Sequence, residues 1–329
     1  MKPTHFDVPS RIELSQRAVG SLSAILSGLF LLASPALLHC ADVIILKGAA
    51  GTDEYAKRFN STIESWQQAS AQHKVTICES LETFRSAVSP LGKSPEPLWI
   101  IFVGHGTSDA RDSHFNLVGP DLSASALAEL LKPFSREIVL IDTTAASGPF
   151  IKALSGANRL IVTATKGADE VYFTRFGQFF AEAIAGQVNA DLDQDKQVSV
   201  LESFLFASRE TRNFYEKENR IATEHALLDD NGDAEGTRSE AFSGLHAKTA
   251  KEGSIADGER ARQLHLKLAP EERSLTPDLR KRRDALEAQV RAVVEKRSTL
   301  AEDDYYRQLE ALFVEIAKIT QSSSPEPKP

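Results

Sequence analysis

The residues best equipped for chemistry fall in two short stretches. The first, Trp99 to Thr107, reads Trp-Ile-Ile-Phe-Val-Gly-His-Gly-Thr and delivers an imidazole, His105, directly after an apolar run. The second, Ile138 to Phe150, reads Ile-Val-Leu-Ile-Asp-Thr-Thr-Ala-Ala-Ser-Gly-Pro-Phe and delivers a carboxylate at Asp142 and hydroxyls at Thr143, Thr144 and Ser147. A hydroxyl beside an imidazole becomes a nucleophile only with strong activation, because its proton is held far more tightly than a thiol's. Short apolar runs bounded by turn residues read as buried strands of a parallel sheet. In such sheets ligands bind beyond the carboxyl ends of the strands. The pattern therefore sets His105 and the Thr143 to Ser147 segment near each other at one edge of a sheet.

A third stretch has the donor spacing of a metal loop. From Asp191 the chain reads Asp-Leu-Asp-Gln-Asp-Lys-Gln-Val-Ser-Val-Leu-Glu. Oxygen donors stand at positions 1, 3, 5, 9 and 12 (Asp191, Asp193, Asp195, Ser199 and Glu202), and Gln197 offers its carbonyl at position 7. A hard Ca²⁺ ion takes such an oxygen cage closed by a terminal Glu, and apolar helical segments flank the loop on both sides, as in an EF-hand. Lys196 replaces the glycine of position 6, where a positive φ is needed, so the turn is strained. The competing reading is a solvated acidic turn capping the next helix. Asp229-Asp-Asn-Gly-Asp233 echoes the spacing, with Glu235 and Glu240 following, but lacks framing helices and reads better as an Asx-rich turn. Asp109, Asp112 and His114 crowd a polar loop that solvation explains equally well, and His225 has no evident partner.

The elements that position these groups alternate. Strand patterns at Asp42 to Leu46, Val75 to Cys78, the run ending at His105, Glu137 to Ile141 and Arg159 to Thr165 are separated by helical ones. The helix from Asp53 buries a stripe of Ala56, Phe59, Ile63 and Trp66, and Thr52 is its N-cap. Others span Glu79 to Val88, Ser123 to Leu131, about Phe173 to Ala185, and Leu201 to Tyr215. Strands alternating with helices make an α/β fold, a doubly wound and mostly parallel sheet with helices on both faces. Residues 241–272 lose periodicity and read as a linker. Thr276-Pro277 then starts a helix with the stripe Leu279, Leu286, Val290 and Val293. Residues 301–320 follow with Tyr305, Leu309, Leu312, Ile316 and Ile319 at alternating four- and three-residue steps, a heptad seam. The two form a coiled-coil-like α-helical hairpin over 273–321, able to pack on the main domain or on a partner protein, and 322–329 reads as a disordered tail.

Composition sets the limits. The 329 residues carry a net charge of −8 and are 42% hydrophobic, which supports a sizeable core and argues against general nucleic-acid binding. The two cysteines, Cys40 and Cys78, are too few for a disulfide framework, and Cys78 reads as a buried inert thiol in a strand. Val19 to Leu38 is almost wholly apolar behind Arg11 and Arg17, the layout of a secretory signal with small residues at its exit. It is also long enough to stay as a membrane anchor; lipoprotein cleavage before Cys40 fits less well because His39 precedes it. Residues 1–41 thus predict export, to a periplasmic, extracellular or membrane-anchored location.

Gly104-His105-Gly106 followed by Ser147-Gly148 resembles the caspase and legumain clan of cysteine peptidases, over roughly Val43 to Asp233. There one strand ends in His-Gly and the next in a Cys followed by Ser-Gly. The resemblance implies a caspase-like fold for 42–240, with His105 at the family's histidine position. Counting back from Ser147-Gly148 puts the family's Cys position at Ala145, or at Thr144 with a one-residue gap; neither is Cys. Two functions follow. One is an exported, non-catalytic legumain-like pseudopeptidase that binds a peptide in the cleft near His105, steadied by Ca²⁺ at 191–202. The alternative is a hydrolase of this clan with Thr144 or Ser147 as nucleophile.

Overall fold

The computed structural model describes residues 41–94, 96–248 and 256–323. The expected signal or anchor, apart from Ala41, lies outside the described residues, as do Cys40 and residues 324–329. Among the described residues no helix is long and apolar enough to cross a membrane.

The sheet is built from β1 (Asp42–Lys47), β2 (Lys74–Cys78), β3 (Leu98–Val103), β7 (Ile138–Asp142), β8 (Arg159–Thr163) and β9 (Leu227–Asp229), in the order β2-β1-β3-β7-β8-β9. The first five are parallel, as expected, and β9 closes the edge antiparallel to β8. The chain runs outward from β1 to β2 and returns to the other side of β1 as β3, so the order reverses between β1 and β3. Alternation along β3 decides which helices cover which face. Trp99, Ile101 and Val103 pack with α1 (Asp53–Ala69), α5 (Phe176–Ile184) and α6 (Val200–Lys217). Leu98, Ile100 and Phe102 pack with α2 (Leu81–Val88), α3 (Ala124–Leu131) and α4 (Pro149–Leu154). This is the doubly wound α/β arrangement, and β3 and β7, wholly buried on both faces, are its centre.

Helix starts follow their caps. Thr52 accepts from Tyr55 N ahead of α1, and Ser199 forms a reciprocal capping box with Glu202 ahead of α6. Three short antiparallel strands, β4 (Gly106–Ser108), β5 (Ser113–Phe115) and β6 (Leu122–Ser123), fold the segment after His105 into a small second sheet that reads in the sequence as a polar loop. A two-stranded ribbon, β10 (Phe242–Ser243) with β11 (His246–Ala247), opens the stretch expected as a linker.

That expectation is corrected. In the described parts of 241–272, Phe242, Ala261 and Leu266 are buried in the core beneath α6. Leu264 and Ala261 carbonyls accept the first amides of that helix, those of Val200 and Leu201. The segment has no periodicity because it fills irregular gaps as loop. After the short α7 (Pro270–Arg273), α8 (Pro277–Glu295) and α9 (Glu302–Ser323) form the helical hairpin; α9 runs two residues into the expected tail.

Candidate functional site

The carboxyl ends of β1, β3 and β7 converge tightly. A Cβ on Gly104 would sit 2.9 Å from Gly48 Cα and from the Phe115 ring, and one on Gly106 would sit 2.1 Å from Ala145 O. The two glycines flanking His105 are therefore demanded by backbone approach, and they bring the β3 end directly against the Thr144–Ala145 turn. The juxtaposition of the two motif stretches is as the sequence implies.

The side chains face elsewhere. The His105 ring lies edge-on to Tyr55 and Phe59 at centroid distances of 4.5 and 5.2 Å, with Phe173 at 5.8 Å. Its Nε2 is 3.3 Å from Ala50 O. Burial among these rings pushes its pKa down, so the imidazole is neutral at pH 7. A cavity of about 30 Å³ beside them is lined by Phe59, Gly104, Thr143 and Phe173.

On the β7 side every hydroxyl is engaged. Thr143 Oγ1 donates to Phe102 O at 3.0 Å, and Thr144 Oγ1 donates to Asp142 Oδ1 at 2.6 Å. Ser147 Oγ pairs with Thr165 Oγ1 at 3.0 Å and accepts from Thr165 N. Thr144 and Ser147 are buried, as is Ala145. Ala146 takes a left-handed φ of 53°, and its N–H donates a hydrogen bond to the Glu170 main-chain carbonyl at 2.8 Å. The turn is close-packed: a Cβ on Gly148 would sit 2.4 Å from the Lys166 carbonyl carbon. Gly148 stands at the N-cap of α4 and has no side chain to cap it, while the Ser147 hydroxyl is bonded to Thr165. Asp142 is fully buried, its Oδ2 has no hydrogen-bond partner, and loss of hydration pushes its carboxyl up to about 7.

The segment 166–175 beyond β8 is tied down by two glutamates that the motif reading passed over. Glu170 accepts from the amides of Lys166 and His225 at 3.0 and 3.1 Å, and its other oxygen contacts His225 Nδ1. Glu224 accepts from the amides of Arg175 and Phe176 and from the Tyr215 hydroxyl at 3.0 Å. Partners so far apart in the chain leave no spacing signal.

In the 191–202 loop, Asp191, Asp193 and Asp195 each offer an oxygen within 4.8 Å of the others. Lys196 adopts φ 71°, the left-handed turn that position 6 requires. Asp191 Oδ1 is buried without a partner. Burial, then the neighbouring Asp195, Glu202 and Asp191, push the Asp193 carboxyl up. The remaining sequence-assigned donors have other bonds. Glu202 Oε1 accepts from Leu192 N at 2.7 Å, and its Oε2 accepts from Ser199 N and Oγ, both at 2.8 Å. The side-chain Oε1 of Gln197, as distinct from the main-chain carbonyl expected at position 7, accepts from Ala269 N at 3.1 Å. Three donors thus converge, while Ser199 and Glu202 serve the capping box.

The other acidic groups are turn formers. Asp109 and Asp112 accept from nearby backbone amides, and His114 Nε2 meets Asp109 Oδ2 at 3.3 Å. Asp230 accepts from the amides of Gly258, Arg260 and Ala261, while Asp257 accepts from those of Asp230 and Asn231, a reciprocal clasp between two buried turns. Cys78 is buried at the end of β2, and burial pushes its thiol up.

No protein-family model matches this chain, and no curated protein sequence does. Solved structures with related shape include the Drosophila initiator caspase Dronc, with TM-score 0.42 and 16% identity over 71% of this chain and 94% of that one. Protein GSU0716 from Geobacter sulfurreducens gives 0.39 and 10%, over 60% and 97%. Caspase-1 from Spodoptera frugiperda gives 0.39 and 10%, over 59% and 87%. At these scores no residue role is carried over from them.

Proposed function

We propose that this chain is an exported, caspase- and legumain-like module without peptidase activity, which binds an extended peptide at the strand ends and uses the 191–202 loop to hold Ca²⁺. The observation that carries the reading is Ala145, which stands at the resembled family's Cys position and lies against Gly106 with no nucleophile in its side chain. The ring packing of His105 with Tyr55, Phe59 and Phe173 supports a retained structural histidine. The burial and prior bonding of Thr144 and Ser147 weigh against either as a nucleophile. Export is supported by the apolar run Val19 to Leu38. The crowding of like charges at Asp193, together with the orphaned Asp191 oxygen, supports a cation in the loop.

Cleavage assays on the unmodified chain, with peptides carrying Asn, Asp, Arg or Lys before the scissile bond, test the reading. No turnover is expected, with or without calcium. Ala145→Cys is expected to create labelling by a thiol-directed peptide reagent that the unmodified chain lacks. Turnover by the unmodified chain that disappears on Thr144→Ala or Ser147→Ala would replace this reading with the hydroxyl-nucleophile hydrolase.

A further inference from the structure

A cavity of about 490 Å³ lies where the parallel strands begin, at the end of the sheet opposite His105. Ala41, His73 and Pro97, which precede β1, β2 and β3, line it. Trp99 of β3 and Leu264 and Leu268 of the irregular segment give it an apolar wall. The first turns of α8 give it a charged one. The volume is that of a small-molecule site, for which about 300 to 1,000 Å³ is usual, and so is the mixture of apolar wall and a few polar groups.

Its charged groups indicate what it takes. Three acids line the cavity, Glu96, Glu272 and Asp284, and so do three bases, Arg280, Lys281 and Arg283. A ligand with no net charge therefore enters without leaving an excess of either sign. Several lining groups are already matched. Arg283 pairs with Glu272 and, at 2.7 Å, with Asp284. His73 Nδ1 accepts from Ala41 N at 3.2 Å, and its Nε2 donates to Leu266 O at 2.6 Å. Burial pushes the His73 pKa down, so this ring adds no charge at pH 7. Two atoms on the cavity's side chains are left over. Arg280 Nε and Glu272 Oε2 are both buried without a hydrogen-bond partner among the described residues.

A buried guanidinium nitrogen and a buried carboxylate oxygen are costly to leave unpaired. A simple anion would answer Arg280 and leave Glu272 Oε2 open, and a simple cation would do the reverse. One small molecule carrying a carboxylate and an ammonium answers both. An ammonium suits Glu272 better than a hydroxyl does, because a hydrogen bond between two charged groups is the stronger.

We infer that this cavity binds a free amino acid with an apolar side chain, its carboxylate on Arg280, its ammonium on Glu272 and its side chain against Trp99, Leu264 and Leu268. The inference does not depend on the reading of the strand ends at His105.

Isothermal titration calorimetry of the full chain in non-ionic detergent, with L-leucine and L-phenylalanine, tests it. At least one of the two should bind, at one site per chain. The amines that lack the carboxylate, isopentylamine and phenethylamine, should bind about tenfold more weakly or worse. The acids that lack the ammonium, isocaproate and hydrocinnamate, should do the same, since each forfeits a hydrogen bond to a charged group. Arg280→Met keeps the apolar stem and should weaken the amino acid by about tenfold or more. Because Arg280 Nε bonds nothing in the described fold, the ligand-free melting temperature of this variant should be unchanged or higher. Failure of both amino acids to bind at millimolar concentration would overturn the proposal. So would an amine or acid that binds as tightly as its amino acid, or an Arg280→Met chain that binds as tightly as the parent. A lower ligand-free melting temperature for Arg280→Met would also overturn it, by making Arg280 a structural residue.

Discussion

Replacing Asp142 by Asn should change how stability depends on pH, and the size of the change follows from the site. Asp142 ends β7 with no solvent exposure; its Oδ1 serves Thr144 and its Oδ2 has no partner. Burial raises its pKa from 3.8 to about 7 in the folded chain. Between these values the unfolded chain has lost the proton while the folded chain still holds it. Each pH unit in that window therefore costs the fold about 1.4 kcal/mol, and the sum over the window is roughly 4 kcal/mol. The contribution is fully favourable below the unfolded pKa and is exhausted once pH passes the folded pKa. Asparagine keeps the acceptor for Thr144 and cannot ionise. The stability of Asp142→Asn relative to the parent should be flat below about pH 4, rise with slope ~1.4 kcal/mol per unit to about pH 7, and level off above it. Urea unfolding at half-unit pH steps reads this directly. Asp257, also raised to about 7, titrates in both proteins and cancels in the difference. A pH-independent difference between the two proteins would refute the argument, because it would mean Asp142 is already ionised or hydrated in the fold.

Gly106→Ala should cost about 3 kcal/mol or more and lower the melting temperature, because the new methyl meets Ala145 O; an unchanged melting curve would mean the β3 and β7 ends are not in contact. Glu170→Gln removes the charged acceptor shared by Lys166 N and His225 N, so hydrogen exchange at those amides should speed up by about tenfold while β3 and β7 stay protected. Calcium should raise the melting temperature, by the equivalent of about 2.7 kcal/mol when free ion exceeds Kd a hundredfold, and Asp191→Ala should remove the gain. Identical curves in calcium and in chelator would exclude a site of useful affinity.

Local pattern determined much of this molecule. The parallel strands, the helices between them and the α1 stripe of Phe59, Ile63 and Trp66 are legible because burial on a regular element repeats with that element's period. The convergence of His105 with the Thr144–Ala145 turn is legible too, since parallel strands carry their carboxyl ends to one edge. The two- and three-residue strands of the second sheet are too short to show a period, and 241–272 hides its core residues in irregular loop. The direction of the His105 ring was decided by which aromatic side chains from α1 and the 166–175 segment fill the space beside it. The pairing of Glu170 with His225 and the clasp between Asp230 and Asp257 were decided in the same way. A carboxylate takes whichever donors the fold brings within 3 Å or so, and across tens of residues only the packed sheet and its covering helices determine which donors those are.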